Sequence, residues 1–509
     1  MASQKNNKEE SGDKKNNQKT SITLGKSLED NVNQFKKIFQ NDDTFLIRYF
    51  TNQEQAKARF CVLFIDGMVD VETANRNIIQ PIVQSTLPKN FEGNMDVIFK
   101  QVVLSNHTEK SDNTEEMITR ILEGESVVLM ENCVEALIVC TKGWKSRTIN
   151  EPQNEQVLRG PREGFVEPIL VNLSLIRRRL VTPDLKFISL TIGKQTQTKI
   201  SVCYIDGIVN RQILDEVLQR LNKINIDEIL ESGNLAELMK DCPYSPFKTI
   251  GSTERPDVVA ANLLEGRIAI VVDGTPVVIT MPFLLQEYFQ TDDDYYINFY
   301  YSSINRMLRF LGFIITVTFP GIYVAILTFH QEMIPNPLLL SISAAREGIP
   351  FPTIVETLGL LIVFEIMREV GMRIPISVGQ TISILGALVL GSAAVEARIV
   401  SATVIIVIAL TGLTGLMTTR IKGPSIMIRV IFTLLAGFLG LYGLIFGIIG
   451  LFLHLCSIRS FGVPYMITFS SLDPKEVKDT FVRAPLWFTK TRPKFISGRN
   501  KVRQADRSK

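Results

Sequence analysis

The chain has 509 residues, a formal net charge of +3 and 46% hydrophobic residues, which makes it too long for one small domain and too balanced to bind nucleic acid on charge alone. Its three histidines and six cysteines carry no CxxC and no metal-ligand spacing, which argues against a metal site. It has neither GxxxxGK[ST] nor a GxGxxG after a strand, so a phosphate-bearing cofactor is unsupported and no enzyme chemistry is expected.

Residues 1–30 are mostly Lys, Asn, Gln, Ser and Glu, with almost nothing to bury, and are expected to form a disordered polar tail. No charged start leads into an apolar run and cleavage site, so the N-terminus is expected to stay where it is made.

A helical lead-in is expected from Asn31 to Asp43. The strand RFCVLFIDGMVD ends at an Asp66-Gly67 turn, and helical periodicity follows from Val71 to about Ser85. The pattern returns as KISVCYIDGIVN, Lys199 to Asn210, with a helix from Arg211 to Leu221. Leu122-Glu123-Gly124, ESVVLM, a turn and VEALIV are likewise echoed by Leu264-Glu265-Gly266, RIAIVV, a turn at Asp273-Gly274 and PVVITM. The Ile-Asp-Gly and Leu-Glu-Gly landmarks lie 57 and 59 residues apart in the two copies. Self-similarity in order and spacing predicts two related α/β subdomains, 31–150 and 151–300, each with a strand, helices and a β-hairpin. Asp66 and Asp206 read as turn residues rather than catalysts, because Gly accepts positive φ and Asp bonds its own backbone.

Between the copies, Arg159, Arg162, Glu163 and Glu167 stand among tight turns at Gly160-Pro161 and Gly164. They are expected to join the subdomains or to meet a partner.

Residues 301–458 read as an α-helical polytopic membrane domain. Several apolar runs of about 20 residues lie there, the length that crosses about 30 Å of hydrocarbon. Arg306 and Arg309 mark the edge of a first span from about Leu308 to Phe329, kinked at Pro320. Further apolar stretches are Thr353 to Val370, Ile376 to Ala394, Ile399 to Met417 and Ile426 to Leu455. With both termini cytoplasmic the crossings are even in number. Four follow if the charged Thr353–Val370 segment is embedded without crossing, and six if the last stretch divides at Gly440 or Gly443. That charged segment and its continuation hold Glu356, Glu365, Arg368, Glu369 and Arg373. Ionisable groups at membrane depth cost several kcal/mol unless they face a partner, a polar cavity or water, so they are assigned to a pore or its gating. Glu365–Arg368 and Glu369–Arg373 can pair along a helix. Glu356 has no such neighbour and is the candidate for facing water or ions. Gly379, Ser383, Ala387 and Gly391 recur every four residues, a stripe suited to close helix packing. So few spans would enclose a pore only between copies of the chain. Residues 459–509 form a short basic tail; from Cys456 onward twelve Lys/Arg stand against four Asp/Glu, which reads as cytoplasmic.

From about Asp43 to Arg459 the chain resembles the A subunits of the GerA-type germinant receptors of endospore-forming bacteria. The resemblance rests on Arg159-Gly160-Pro161-Arg162-Glu163-Gly164-Phe165-Val166-Glu167, Ile176-Arg177-Arg178-Arg179-Leu180, Asp273-Gly274-Thr275-Pro276 and Asp294-Tyr295-Tyr296. It continues in Pro350-Phe351-Pro352, Phe364-Glu365-Ile366-Met367-Arg368-Glu369, Arg373-Ile374-Pro375, Gly379-Gln380 and Gly386-Ala387-Leu388-Val389. Met367, Val370 and Arg398 depart from the family pattern, Arg398 by adding a charge. The resemblance implies a multi-pass subunit of a nutrient sensor in the spore inner membrane. That subunit would work among membrane lipids with a transporter-like B subunit, which would bind the nutrient, and a lipoprotein C subunit. It also implies a homo-oligomer forming a ligand-gated ion channel that starts germination, with Gln380 and Leu388 joining the pore or gating positions. A non-conducting scaffold that transmits the signal is the alternative.

Overall fold

The computed structural model describes residues 23–55, 57–88, 91, 94–103, 107–143, 151–152, 155, 157, 159–373, 391–467, 479–498 and 500–503. Gly379, Gln380, Ser383, Ala387, Leu388 and the side chain of Arg373 lie outside this description. The chain divides into two compact units, Met1–Lys145 with Leu180–Pro183, and Ser146–Arg179 with Asp184–Lys509.

The first unit is built on a sheet of β1 (Phe45–Thr51), β2 (Arg59–Ile65), β3 (Thr108–Ser111), β4 (Ser126–Met130) and β5 (Ala136–Val139), in the order β1-β2-β4-β5-β3 with antiparallel pairs throughout. Successive strand side chains point to opposite faces, so β2 feeds two cores. Phe60, Val62 and Phe64 meet Ala74, Ile78 and Ile82 of the helical turns 71–84. Cys61, Leu63 and Ile65 meet helices α1 (Leu28–Ile38) and α2 (Thr114–Leu122). Helix α1 starts where Ser27 accepts from the Asp30 N–H, and it buries Leu28, Val32 and Phe35, spaced for one helical face.

In the second unit, α3 (Ile169–Arg179) leads into β6 (Leu185–Ile192), β7 (Thr198–Ile205), α4 (Arg211–Lys223), α5 (Ser232–Met239), β8 (Gly251–Thr253), α6 (Pro256–Glu265), β9 (Ile268–Val272) and β10 (Val278–Met281). The sheet order, β6-β7-β9-β10-β8, repeats that of the first unit strand for strand. Ile200, Val202 and Tyr204 pack with Ile213, Val217 and Leu221 of α4. The Ile-Asp-Gly landmark does the same work twice. Gly67 (φ 80°) and Gly207 (φ 78°) take the left-handed conformation. Asp66 and Asp206 accept from the N–H of the following glycine at 3.0 and 2.9 Å. Asp70 and Asn210 then cap the next helix. Edge strands β1 and β6 and the short β3 and β8 were not expected from the sequence, nor was α5.

Among the described residues, two helices are long and apolar enough to cross a membrane, α7 (Phe299–Phe329) and the stretch Thr419–Ser457. Between them lie α8 (Asn336–Arg346), α9 (Thr353–Arg373) and α10 (Ala402–Leu416). Helix α7 continues through Pro320, which is buried beside Gly321. Helices α7 and α10 are antiparallel, with Thr316 bonded to Thr414 at 2.9 Å and Tyr323 to Thr403 at 2.8 Å. Helices α9 and α10 are parallel, since Glu356 meets Ser401, Leu361 packs with Val404 and Ile408, and the Phe364 ring covers Gly412.

The last helical stretch, α11 (Lys422–Ser457), is two arms, 422–439 and 441–457, broken at Gly440 (φ 64°, ψ −147°). In a straight helix residues 432 and 447 would stand about 22 Å apart. Instead a Cβ on Gly447 would lie 3.0 Å from the Phe432 ring, and one on Gly443 2.2 Å from the Leu435 carbonyl. The arms therefore fold back on each other. Their open ends, at Ile421, Ile428, Leu455 and Ile458, share a core with Phe247, Phe283 and Tyr288 of the second α/β region.

Candidate functional site

Charged clusters of the second unit lie inside the helices and at two places where the helices meet the second sheet region. Inside the helices, Glu365 of α9 accepts from Arg368 one turn along and from Arg429 on the first arm of α11. Arg429 is 2% exposed. It was missed in the sequence, although a lone arginine in a membrane-length apolar stretch is itself the signal. Glu356, expected to lack a partner and face water, does have partners. Its side chain is fully buried, accepts from the Ser401 N–H at the start of α10 and lies 3.8 Å from Arg346 of α8. A carboxylate at a helix N-terminus satisfies an amide with no partner in the helix and meets the positive end of the helix dipole. Glu369 is exposed. Among the described residues, none places an atom within 4 Å of where the Cβ of Gly391, in the expected stripe, would be. Among the described residues, close approaches are made by Gly312 against the Thr414 carbonyl (3.4 Å), Gly321 against that of Phe432 (3.2 Å) and Gly412 under the Phe364 ring.

At the foot of α7, Asp294 is buried between two arginines. Arg306 approaches it at 3.3 Å and also bonds Asp479 at 2.9 Å, while Arg309 donates to its other oxygen. Arg306 and Arg309, read in the sequence as edge markers, are thus members of a buried network. Arg483 ties in the same tail segment, donating to the Ile297 and Tyr295 carbonyls at 2.8 and 3.2 Å.

The third cluster joins more distant parts of the chain. Arg255, 0% exposed at the start of α6, donates to Asp257 (2.7 Å) and to the Pro161 carbonyl (3.1 Å), and lies 3.6 Å from Asp292. Arg420, in the turn between α10 and α11, reaches Asp292 (3.4 Å), Glu155 (3.3 Å) and the Gln290 carbonyl (3.1 Å). Tyr296 closes the cluster with an O–H donated to Asp257 at 2.5 Å. Sequence reading missed Arg255, Asp292 and Arg420, because the three lie in separate segments that only the fold brings together.

A scan against family models matches residues 33–495 to the Bacillus/Clostridium GerA spore germination protein. The chain belongs to the GerA family. It is 42% identical over 486 residues to spore germination protein KA of Bacillus subtilis (strain 168), covering 95% of this chain and 89% of that relative. It is 40% identical over 448 residues to the B. subtilis (strain 168) membrane protein YfkQ, described as uncharacterized, covering 88% and 87% of the two chains. Among solved structures it resembles the crystal structure of the N-terminal domain of the A subunit of the Bacillus megaterium spore germinant receptor GerK3. That match has 32% identity and a TM-score of 0.40, covering 52% of this chain and 98% of that one.

In this GerA protein the Arg159–Glu167 motif lies against the third cluster. Gly160 (φ 137°) packs on the Tyr296 ring, where a Cβ would come within 2.9 Å. Arg159 is exposed. Arg162 pairs with Glu151 (3.2 Å) and Glu163 with Arg179 (2.8 Å) and Arg178 (3.6 Å), while the Glu167 carbonyl accepts from Gly274 at 2.9 Å. Among the described residues of the GerA chain, no group of three or more His, Cys, Asp or Glu is placed to hold a metal.

Burial pushes the Asp292 carboxyl up to about 6, with Arg420 lowering it, Glu155 raising it, Arg255 lowering it and Asp257 raising it. A folded pKa above the unfolded one means that the folded state holds its proton longer. The stabilisation is present at about pH 4 and lost as pH rises through about 6, amounting to about 3 kcal/mol. Relative to Asp292→Asn, the unmodified protein should therefore gain thermal stability between pH 7 and pH 5. A constant difference in melting temperature across that range would mean that Asp292 stays ionised throughout.

Proposed function

We propose that this chain is the A subunit of a nutrient germinant receptor in the spore inner membrane, working with a transporter-like B subunit and a lipoprotein C subunit. Family membership supports the receptor assignment. The observation that carries the mechanism is Arg420, placed between α10 and the hairpin and bonded to Asp292 and Glu155. Through it, a displacement of the second α/β region moves the ends of two helices. The hairpin favours six crossings over four: α7, α9, the sequence stretch Ile376–Ala394, α10 and the two arms, with both termini cytoplasmic. Copies then assemble so that α9 and the residues after it, Arg373, Gln380 and Leu388 among them, line or gate an ion path between subunits.

A non-conducting scaffold is favoured by a different observation. Glu356 and Glu365 are both neutralised by arginines of their own chain, so neither needs an ion. Ion flux through the purified, oligomerised protein in liposomes, alone and with its partner subunits, separates the two readings. Conduction predicts flux that Arg420→Met uncouples from the partners and that Glu356→Gln changes several-fold by loosening the start of α10. Absence of flux in every oligomerised sample would leave the scaffold.

A further inference from the structure

The two sheets are built alike but closed differently. In the first unit the chain leaving β5 runs on to the residues that follow β2. Lys142 bridges Val69 antiparallel, and the Gly143 N–H donates to the Met68 carbonyl at 3.2 Å. Only glycine fits there, since a Cβ would lie 2.2 Å from that of Asp70. In the second copy of the landmark, Ile208 and Val209 stand where Met68 and Val69 stand in the first. After β10, however, the chain departs into the helices.

The tail supplies the missing piece. Ser497 bridges Val209 antiparallel, and the Gly498 N–H donates to the Ile208 carbonyl at 2.7 Å. The offsets match those of Lys142 and Gly143 residue for residue. Glycine is again required, because a Cβ on Gly498 would lie 2.4 Å from the Val209 carbonyl. Ile496, 1% exposed, enters the core beside Val209 and Ile213. Arg492 holds the segment in place by donating to the Leu264 carbonyl at 2.7 Å.

We infer that residues 496–498 are the closing segment that the second sheet region lacks in its own stretch of chain. The cleft bounded by Ile208, Val209 and Gly266 is a binding site for an Ile-x-Gly segment that leaves a turn, and the tail of the same chain fills it. The last segment after the helices is thereby fastened to the region that carries the Arg255–Asp292–Arg420 cluster, whether or not the protein conducts ions.

The test uses the full chain in detergent with Val209→Cys and Ser497→Cys, oxidised mildly and read by gel mobility and mass spectrometry. A disulfide within one chain is expected, forming at least tenfold faster than in an Asn222→Cys/Ser497→Cys control. Adding Gly498→Val should slow it at least tenfold. A rate equal to the control, or indifference to Gly498→Val, overturns the proposal. A disulfide joining two chains overturns the assignment of the site to the chain's own tail.

Discussion

Replacing Asp294 with Ala is expected to destabilise the second unit by about 3–5 kcal/mol, the range for removing one partner of a buried ion pair. The effect belongs at the high end because one carboxylate serves two guanidinium groups. Arg309 would keep Thr291 (2.6 Å) and Arg306 would keep Asp479, but both would remain at the foot of α7 without the buried anion between them. Asp294→Asn preserves shape and hydrogen bonding yet removes the charge, and should recover less than half of the loss. Thermal unfolding of the purified protein in detergent reads both variants. If Ala and Asn cost less than about 1 kcal/mol each, the cluster behaves as an exposed ion pair of the kind that contributes little.

Gly440→Val is expected to be the second most damaging change. The backbone there lies near the region of φ and ψ that is essentially reserved for glycine, where another residue costs of order 1–3 kcal/mol. A Cβ would also meet Phe329 and His330 at 3.1 Å, where the His330 ring accepts from the Leu441 N–H at 3.4 Å. A straightened α11 would relieve both problems by separating the arms. Paired cysteines at Phe432 and Gly447 should therefore cross-link in the parent and lose most of that cross-link with Gly440→Val. Undiminished cross-linking would show that the turn tolerates a side chain.

The duplicated α/β architecture was legible in the sequence because its landmarks are local. Ile-Asp-Gly sets a turn, the Asp or Asn four residues after the Asp caps a helix, and the apolar strand between two cores needs both of its faces hydrophobic. Edge strands escaped because a charged residue, Arg48 in β1 and Lys186 in β6, interrupts each apolar run, and neither strand alternates in burial along its whole length. The charged residues of α9 were also visible, since charge in an apolar run stands out. Their partners were not. Ser401 contributes only a backbone N–H to Glu356, and Arg429 lies 64 residues from Glu365. In the Arg255–Asp292–Arg420 cluster Arg420 lies 128 residues from Asp292, so no spacing rule in the sequence could have assembled it. The pairing of Gly498 with Ile208 is the extreme case, because its signal is one glycine in a basic tail.

That pairing also sets an order of events during synthesis. The first sheet region can close as soon as Gly143 has left the ribosome. The second waits for Gly498, by which time every helix has been made and its apolar surface has sought lipid. At about 5–20 residues per second, the interval between β10 and the arrival of Gly498 is about 10–40 s. Throughout it the cleft at Val209 stands open, with the Ile208 carbonyl lacking the Gly498 N–H. The nascent second region is therefore the stage at which a chaperone, or the tail of a chain finished earlier, has its opportunity to bind.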